Sequence, residues 1–287
     1  LTKDALSRIT ADRREALRML IQTGYGGGDG GSAGELADKE LSSLRRFVMD
    51  SLPYELYSLL ILPYDAHNLK VLLKCRVNGA DPKPYLYDNT LFDTEIAAAC
   101  CRGGEFSLLS EGIAKKLNPA FDSGLLSLPF GISTECDKAF YREISKRSEK
   151  AVKPVAEYIA AEIDGKNYTA YQRAKNIGLA ASDLKALLLP GGSVPASAFA
   201  SAYEAGADEL RGYTFGYDAH FAICDAADAA KRSLSDAADT LDKYAESKLL
   251  PYKYEPESVV PVFLYFKEKT AEARHVREAF AKEGGAL

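Results

Sequence analysis

Asp65-Ala66-His67-Asn68-Leu69-Lys70-Val71-Leu72-Leu73-Lys74 is the stretch on which the reading of this chain turns, because its pattern returns twice. The second copy, Asp164-Gly165-Lys166-Asn167-Tyr168-Thr169-Ala170-Tyr171-Gln172-Arg173, keeps the Asp, the Asn three residues on and a later basic residue. A third, weaker copy is Glu272-Ala273-Arg274-His275-Val276-Arg277, where Glu replaces Asp and His replaces Asn. Three copies of one helical unit follow from this recurrence.

Asp-x-x-Asn has a simple physical reading as a helix start. An N-cap aspartate accepts a hydrogen bond from an N–H two or three residues on, and its charge suits the positive end of the helix dipole. Pro63 just upstream is compatible with a start at Asp65, Leu69, Leu72 and Leu73 give one apolar edge, and Asn78-Gly79 supplies the stop. Asp65 and Asp164 are therefore expected to cap their helices. Glu272 has no turn residue before it and is expected inside a continuous helix running from Val259 to Lys282, with Phe263, Phe266, Val276 and Phe280 on its apolar face.

Working outward, residues 1–23 read as a helix carrying Leu6, Ile9, Leu17, Leu20 and Ile21, ended by the glycine-rich run 24–34. That run is no phosphate loop, since Gly34 is followed by Glu35-Leu36 and not by Lys-Ser/Thr. Leu36, Leu41, Leu44, Phe47 and Val48 mark a second helix, Tyr54 to Leu62 a third leading into the motif, and Thr94 to Cys101 a short Ala-rich one. Asp81-Pro82-Lys83-Pro84 is a stiff connector. A long helix is expected to begin near Thr134, with Thr134 and Asp137 as its capping box, and Pro154 to interrupt it before a further helix reaches Ile163. Leu128-Pro129-Phe130-Gly131-Ile132-Ser133 and Leu189-Pro190-Gly191-Gly192-Ser193-Val194 look like matching turns of two units. No segment alternates with a period of two for long, so the fold class is all-α.

From Tyr217 to Leu250 one long helical pattern is expected, with Phe221, Cys224, Leu234, Ala238, Leu241 and Ala245 on the apolar face. Asp225, Asp228, Asp236 and Asp239 then fall within a narrow arc at 100° per residue. Such a stripe is either a solvated face or a docking strip for a basic partner, which would speed association and set orientation.

Composition narrows the function classes. Hydrophobic residues make up 47% of the 287 and charged ones 27%, as in ordinary globular proteins. A net charge of −5 and a pI near 5.4 give no basic footprint for nucleic acid or a polybasic membrane contact. The apolar run Leu56–Leu62 is far too short for a bilayer span and ends at Pro63. No signal-peptide pattern opens the chain, and the missing initiator Met implies a processed or trimmed N-terminus. Five cysteines without a C-x-x-C pair argue against a disulfide framework or a zinc site and for a reducing cytosol.

Candidates for chemistry are few. His67, His220 and His275 are the only histidines, and Glu272-x-x-His275 alone is half a di-iron signature. Ser193 lacks the G-x-S-x-G elbow, and Cys100-Cys101 reads as small core residues. Seventeen tyrosines, among them Tyr54, Tyr57, Tyr64, Tyr168 and Tyr171, suit packing between helices. No catalytic residue, cofactor or metal is expected. Two alternatives stay open: a hydrolase or metal enzyme in which Asp65, His67 and Glu272 converge, and an unrelated helical scaffold.

Tyr64-Asp65-Ala66-His67-Asn68-Leu69-Lys70, Ile163-Asp164-Gly165-Lys166-Asn167, the Leu-Leu-Leu-Pro190-Gly191-Gly192 turn, Lys267-Glu268 with Glu272, Val276 and Arg277, and Leu20-Ile21-Gln22-Thr23-Gly24-Tyr25 together resemble the C subunit of the A/V-type rotary ATPase, known as the d subunit in the eukaryotic vacuolar enzyme. His275 stands where that family often has Asn, and the family's first helix has no counterpart here. The resemblance implies one helical domain over 1–287, a pseudo-symmetric funnel of three repeats near 1–130, 131–212 and 213–287. Asp65, Asn68, Lys70, Asp164, Asn167, Glu272, His275 and Arg277 would be its structural repeat-motif residues. It implies a non-catalytic adapter, cytoplasmic and peripheral to the membrane, between the central-stalk rotor subunits and the membrane proteolipid ring. The adapter would carry torque for ATP-coupled proton or sodium transport, with Asp225, Asp228, Asp236 and Asp239 as candidate partner contacts.

Overall fold

The computed structural model describes residues 13–28, 31–206 and 210–281. Leu6 and Ile9, expected in the first helix, Asp29 and Gly30 of the glycine-rich run, and Lys282, expected to end the last helix, lie outside the described residues. Every regular element within them is helical, as expected: α1 (Arg13–Gln22), α2 (Ala33–Ser51), α3 (Tyr54–Asn78), α4 (Thr94–Gly103), α5 (Glu111–Asp122), α6 (Pro129–Ser148), α7 (Lys153–Ile177), α8 (Ala181–Leu187), α9 (Ala196–Glu204), α10 (Arg211–Thr214), α11 (His220–Ala230), α12 (Leu234–Ser247) and α13 (Val260–Ala281).

The chain forms two compact units. One comprises 1–57 and 255–287, the other 58–254, so α3 starts in the first and runs on into the second. In the first unit α13 packs along α2, with Leu36, Leu44 and Val48 buried on α2 and Phe263, Phe266 and Val276 buried on α13. Phe47 is half-exposed and meets Tyr265 edge-on, ring centroids 5.6 Å apart. Ser32 starts α2 with a capping box: its hydroxyl accepts from Glu35 N–H at 3.2 Å while the Glu35 carboxylate accepts from Ser32 N–H at 2.8 Å. The glutamate that rules out a phosphate loop is thus a helix-starting residue.

In the second unit α5 packs on α6, and α12 packs on both α7 and α11. Tyr168 and Tyr171 of α7, Leu184 of α8, Phe199 of α9, Ile223 of α11 and Leu241 of α12 fill one core. Buried tyrosines on α7 make the packing reading of the tyrosines concrete. Among the five cysteines, none is in a disulfide, and Cys100, Cys101 and Cys136 are buried.

Several helix boundaries differ from expectation. Pro63 does not separate two helices, because α3 passes through it from Tyr54 to Asn78. The proline removes one helical hydrogen bond, but Leu59–Leu62 before it and Leu69, Leu72 and Leu73 after it are buried, and their packing holds the helix together. Pro154 sits in the first turn of α7, where its missing N–H costs nothing, and α6 ends at Ser148 before it. Thr134 caps nothing: α6 begins at Pro129, and the Thr134 hydroxyl donates back to Phe130 O at 3.1 Å inside the helix. The expected helix from Tyr217 to Leu250 is broken between Ala230 and Leu234, where Ser233 caps α12 by accepting from Asp236 N–H at 3.0 Å. On α11 the buried face is Ala222, Ile223, Ala226 and Ala229, and Phe221 points outward.

Candidate functional site

Asp65 and Asp164 cap no helix of their own. Each lies in the interior of a 25-residue helix, α3 or α7, and each carboxylate reaches out to hold a loop. Asp65 Oδ2 accepts from Leu91 N–H at 3.1 Å and Oδ1 from Phe92 N–H at 2.9 Å. Asp164 does the same in α7: Oδ2 accepts from Ser193 N–H at 3.1 Å and Oδ1 from Val194 N–H at 3.0 Å, and the Ser193 hydroxyl donates to Oδ2 at 2.5 Å.

The asparagine one helical turn on completes each clamp. Asn68 Nδ2–H donates to Tyr87 O at 2.7 Å while Tyr87 N–H donates to Asn68 Oδ1 at 2.8 Å. Asn167 pairs in the same way with Leu189, at 2.9 and 2.7 Å. Both held segments are six residues long, 87–92 and 189–194, and the third residue of each has left-handed backbone, Asn89 at φ 47° and Gly191 at φ 99°. Asn is the non-glycine residue best suited to that region. The hydrogen-bond counterpart of 189–194 is therefore 87–92. Leu128–Ser133, which shares its Leu-Pro-x-Gly letters, instead opens α6.

Burial sets the electrostatics of the two clamps. It pushes Asp65 up to about 7, against the Phe92 and Leu91 N–H groups and the Arg147 charge, which pull it down. Asp164 is pushed up to about 6 by burial, against Ser193 and Val194. Lys70 Nζ lies 2.6 Å from Asp137 Oδ1 and ties α3 to α6 beside the first clamp. His67 Nε2 sits 3.0 Å from Tyr85 O, and its ring stacks at a tilt on Tyr87, 4.6 Å between centroids. These contacts place Asp65 and His67 in loop holding.

The third copy, in the other unit, is built differently. Glu272 is inside α13, as expected, and pairs with Lys269 at 3.0 Å. Lys269 also reaches Glu40 of α2 at 3.0 Å, and Glu40 accepts from Gly26 N–H at 3.2 Å. Burial alone would lower Lys269, but its bonds to Glu272 and Glu40 win and raise it well above the usual lysine value. Arg277 pairs with Asp38, and His275 Nδ1 faces Ala271 O at 2.8 Å on its own helix. An ion pair thus does here what amide and carboxylate do in the other copies: it fixes the Tyr25–Gly27 turn. Glu40 and Lys269 carry it, and neither belongs to the repeated motif. The lysine at i−3 from Glu272 is the signal in the sequence that points to it.

The acidic residues do not form one stripe. Asp225 and Asp228 are on α11 and Asp236 and Asp239 on α12, two helices packed on each other. Asp228 pairs with Arg211 at 3.0 Å and Lys231 at 2.8 Å, and Asp236 with Arg232 at 2.9 Å. Lys231 and Arg232 accordingly hold Asp228 and Asp236 below the usual carboxylate range. Among the described residues, no group of three or more His, Cys, Asp and Glu is placed to hold a metal ion, and no helix is long and apolar enough to cross a membrane.

The family model described as ATP synthase (C/AC39) subunit matches residues 35–279. The chain is also similar to the C subunit of the A-type ATP synthase of Methanosarcina acetivorans, 28% identical over 272 residues that cover 87% of this chain and 73% of that protein. With the matched span taking in both loop clamps and the Lys269–Glu272 pair, the chain belongs to the ATP synthase (C/AC39) subunit family.

Proposed function

We propose that this chain is a non-catalytic adapter in the central rotor of an A/V-type ATP synthase or ATPase, linking the central-stalk subunits to the membrane proteolipid ring. Membership of the C/AC39 family across residues 35–279 carries this reading. The adapter would pass torque that couples ATP turnover to proton or sodium movement, from a position peripheral to the membrane. Torque transfer needs stiffness and extensive contacts more than a reactive group. The two clamps support that requirement: each ties a loop to a buried position on a long helix by four or more hydrogen bonds. Three-fold repetition over 1–130, 131–212 and 213–287, with Glu272, His275 and Arg277 marking the third unit, is part of the same proposal.

Co-purification tests it. The full chain, mixed at micromolar concentration with the central-stalk subunits and with the detergent-solubilised proteolipid ring of its own complex, is expected to bind both. Failure to bind either would overturn the adapter reading.

A further inference from the structure

One of the five cysteines stands against a histidine. His220 and Cys224 lie one turn apart on α11, and Cys224 Sγ is 3.9 Å from His220 Nε2. Both residues are half-buried, with part of their surface left to solvent.

The other ring nitrogen decides which way the proton runs. Thr214, fully buried at the end of α10, donates its one hydroxyl proton to Leu210 O at 3.1 Å. Its oxygen also lies 3.1 Å from His220 Nδ1 and has only lone pairs left to offer, so Nδ1 must carry the hydrogen. Nε2 is then the unprotonated nitrogen, and it faces the Cys224 thiol. Phe215 and Phe221 meet the imidazole edge-on, at 5.5 and 5.1 Å, and limit its swing. A thiol, a base with a free lone pair and a third group that orients the base are the parts of an activated nucleophile.

The surrounding charges are largely neutralised. Asp228, one turn beyond Cys224, is answered by two cations, Arg211 at 3.0 Å and Lys231 at 2.8 Å. Asp218, two residues before His220, is held by Lys248 at 2.7 Å and by the Tyr244 hydroxyl of α12 at 3.0 Å. Asp225 follows Cys224 about 100° further round the helix and is exposed, where water weakens its field. The remaining thiols are placed differently. Cys100, Cys101 and Cys136 are buried, and burial pushes all three up, away from ionisation. Cys75 is half-buried on α3, and the other two histidines are engaged elsewhere, His67 against Tyr85 and Tyr87 and His275 against Ala271.

We infer that Cys224 is a modification site, a thiol that His220 activates towards small disulfides. His220 Nε2 takes the thiol proton, and the Cys224 thiolate attacks one sulfur of the disulfide. A mixed disulfide forms as the old S–S bond breaks, and the departing thiolate takes the proton from His220. Cys224 is thereby oxidised and one half of the reagent is reduced to a thiol. The chain is the substrate of this step and stays non-catalytic.

Two reagents test the inference on the full chain at pH 6.5: oxidised glutathione and, separately, iodoacetamide, with modified peptides quantified by mass spectrometry. Cys224 should react about tenfold faster than Cys75 with either, and the three buried cysteines more slowly still. His220→Gln, its folding checked by circular dichroism, should bring Cys224 down to the rate of Cys75 at pH 6.5. At pH 9.5, above the ordinary thiol range, the same variant should react like wild type. Thr214→Val keeps the shape and removes the acceptor for Nδ1, and should show a smaller loss at pH 6.5. Equal rates at Cys224 and Cys75 in wild type would overturn the inference whether or not the variants fold. So would a His220→Gln effect of the same size at both pH values, which would mark a change in access and not in ionisation.

Discussion

Asn167 and Leu189 hold each other by a reciprocal pair of hydrogen bonds: the side-chain amide donates to the Leu189 carbonyl at 2.9 Å and accepts from the Leu189 N–H at 2.7 Å. Both groups are buried, and the asparagine is fully so. A side-chain amide carries a donor and an acceptor side by side, so it can satisfy an N–H and a C=O of the same residue at once.

Asn167→Ala should therefore leave two buried backbone groups unpaired, at a cost of about 1–3 kcal/mol each. Asn68→Ala should cost less, because the Asn68–Tyr87 pair is only partly buried and water can replace the amide. Urea unfolding of both variants checks the order. A larger loss from Asn68→Ala would mean that the two clamps do not share one physical basis.

Gly192 is pressed against the second clamp so closely that a Cβ would collide with Asp164 Oδ1. Gly192→Ala should displace the carboxylate and cost roughly what removing it costs, about 2–4 kcal/mol for a buried group whose N–H partners lose their acceptor. In the background of Asp164→Ala the same substitution should cost little, so a double-mutant cycle is expected to show a coupling of at least about 1 kcal/mol. Additive effects would dissociate the glycine from the clamp.

The clamp carboxylates make stability depend on pH. A folded-state value of about 7 for Asp65 and about 6 for Asp164, against the ordinary 3.8, means that the folded chain binds these protons more tightly than the unfolded chain. Their contribution is present in full below about pH 4 and is lost as pH rises through about 6 and then 7. Asp65→Asn, which cannot titrate, should be destabilised relative to wild type at pH 5, and this deficit should narrow towards pH 8, by up to about 1.4 kcal/mol per pH unit. Thermal midpoints of the two proteins across that range provide the check, and a constant gap would contradict it.

In the first unit, Lys269 stands between Glu40 and Glu272, with both of its partners mostly buried. Lys269→Met should remove the cation that Glu40 and Glu272 share and cost on the order of 2–4 kcal/mol. Lys269→Arg keeps the charge and should recover part of that loss. Limited proteolysis near the Tyr25–Gly27 turn, which Glu40 holds through Gly26, should quicken in Lys269→Met and much less in Lys269→Arg.

The motif locates the right residues and misleads about what they hold. Asp-x-x-Asn reads locally as a cap, because a carboxylate and the N–H groups just after it are the nearest partners in sequence. The actual partners of Asp65 are the N–H groups of Leu91 and Phe92, and those of Asp164 belong to Ser193 and Val194. Nothing in local spacing shows a bond that spans such a separation. The same limit hides the counterpart of 189–194: shared letters point to Leu128–Ser133, whereas shared bonds and left-handed backbone at the third residue point to 87–92. Phe221, expected on the apolar face, points outward because the face that α11 buries is Ala222, Ile223, Ala226 and Ala229.

Helical periodicity and the absence of alternating segments were enough by themselves to determine an all-α chain, and the ordered motifs were enough to identify its family resemblance. These are properties of residue order along one helix, where neighbours three and four apart share a face. Tertiary structure alone decided that α3 runs unbroken through Pro63, that the two aspartates secure loops, and that Lys269 with Glu40 replaces amide and carboxylate in the third copy. In each case the deciding term is burial. A buried backbone N–H must find an acceptor wherever the fold brings one, and a helix is kept whole by the apolar side chains it packs on either side of a proline.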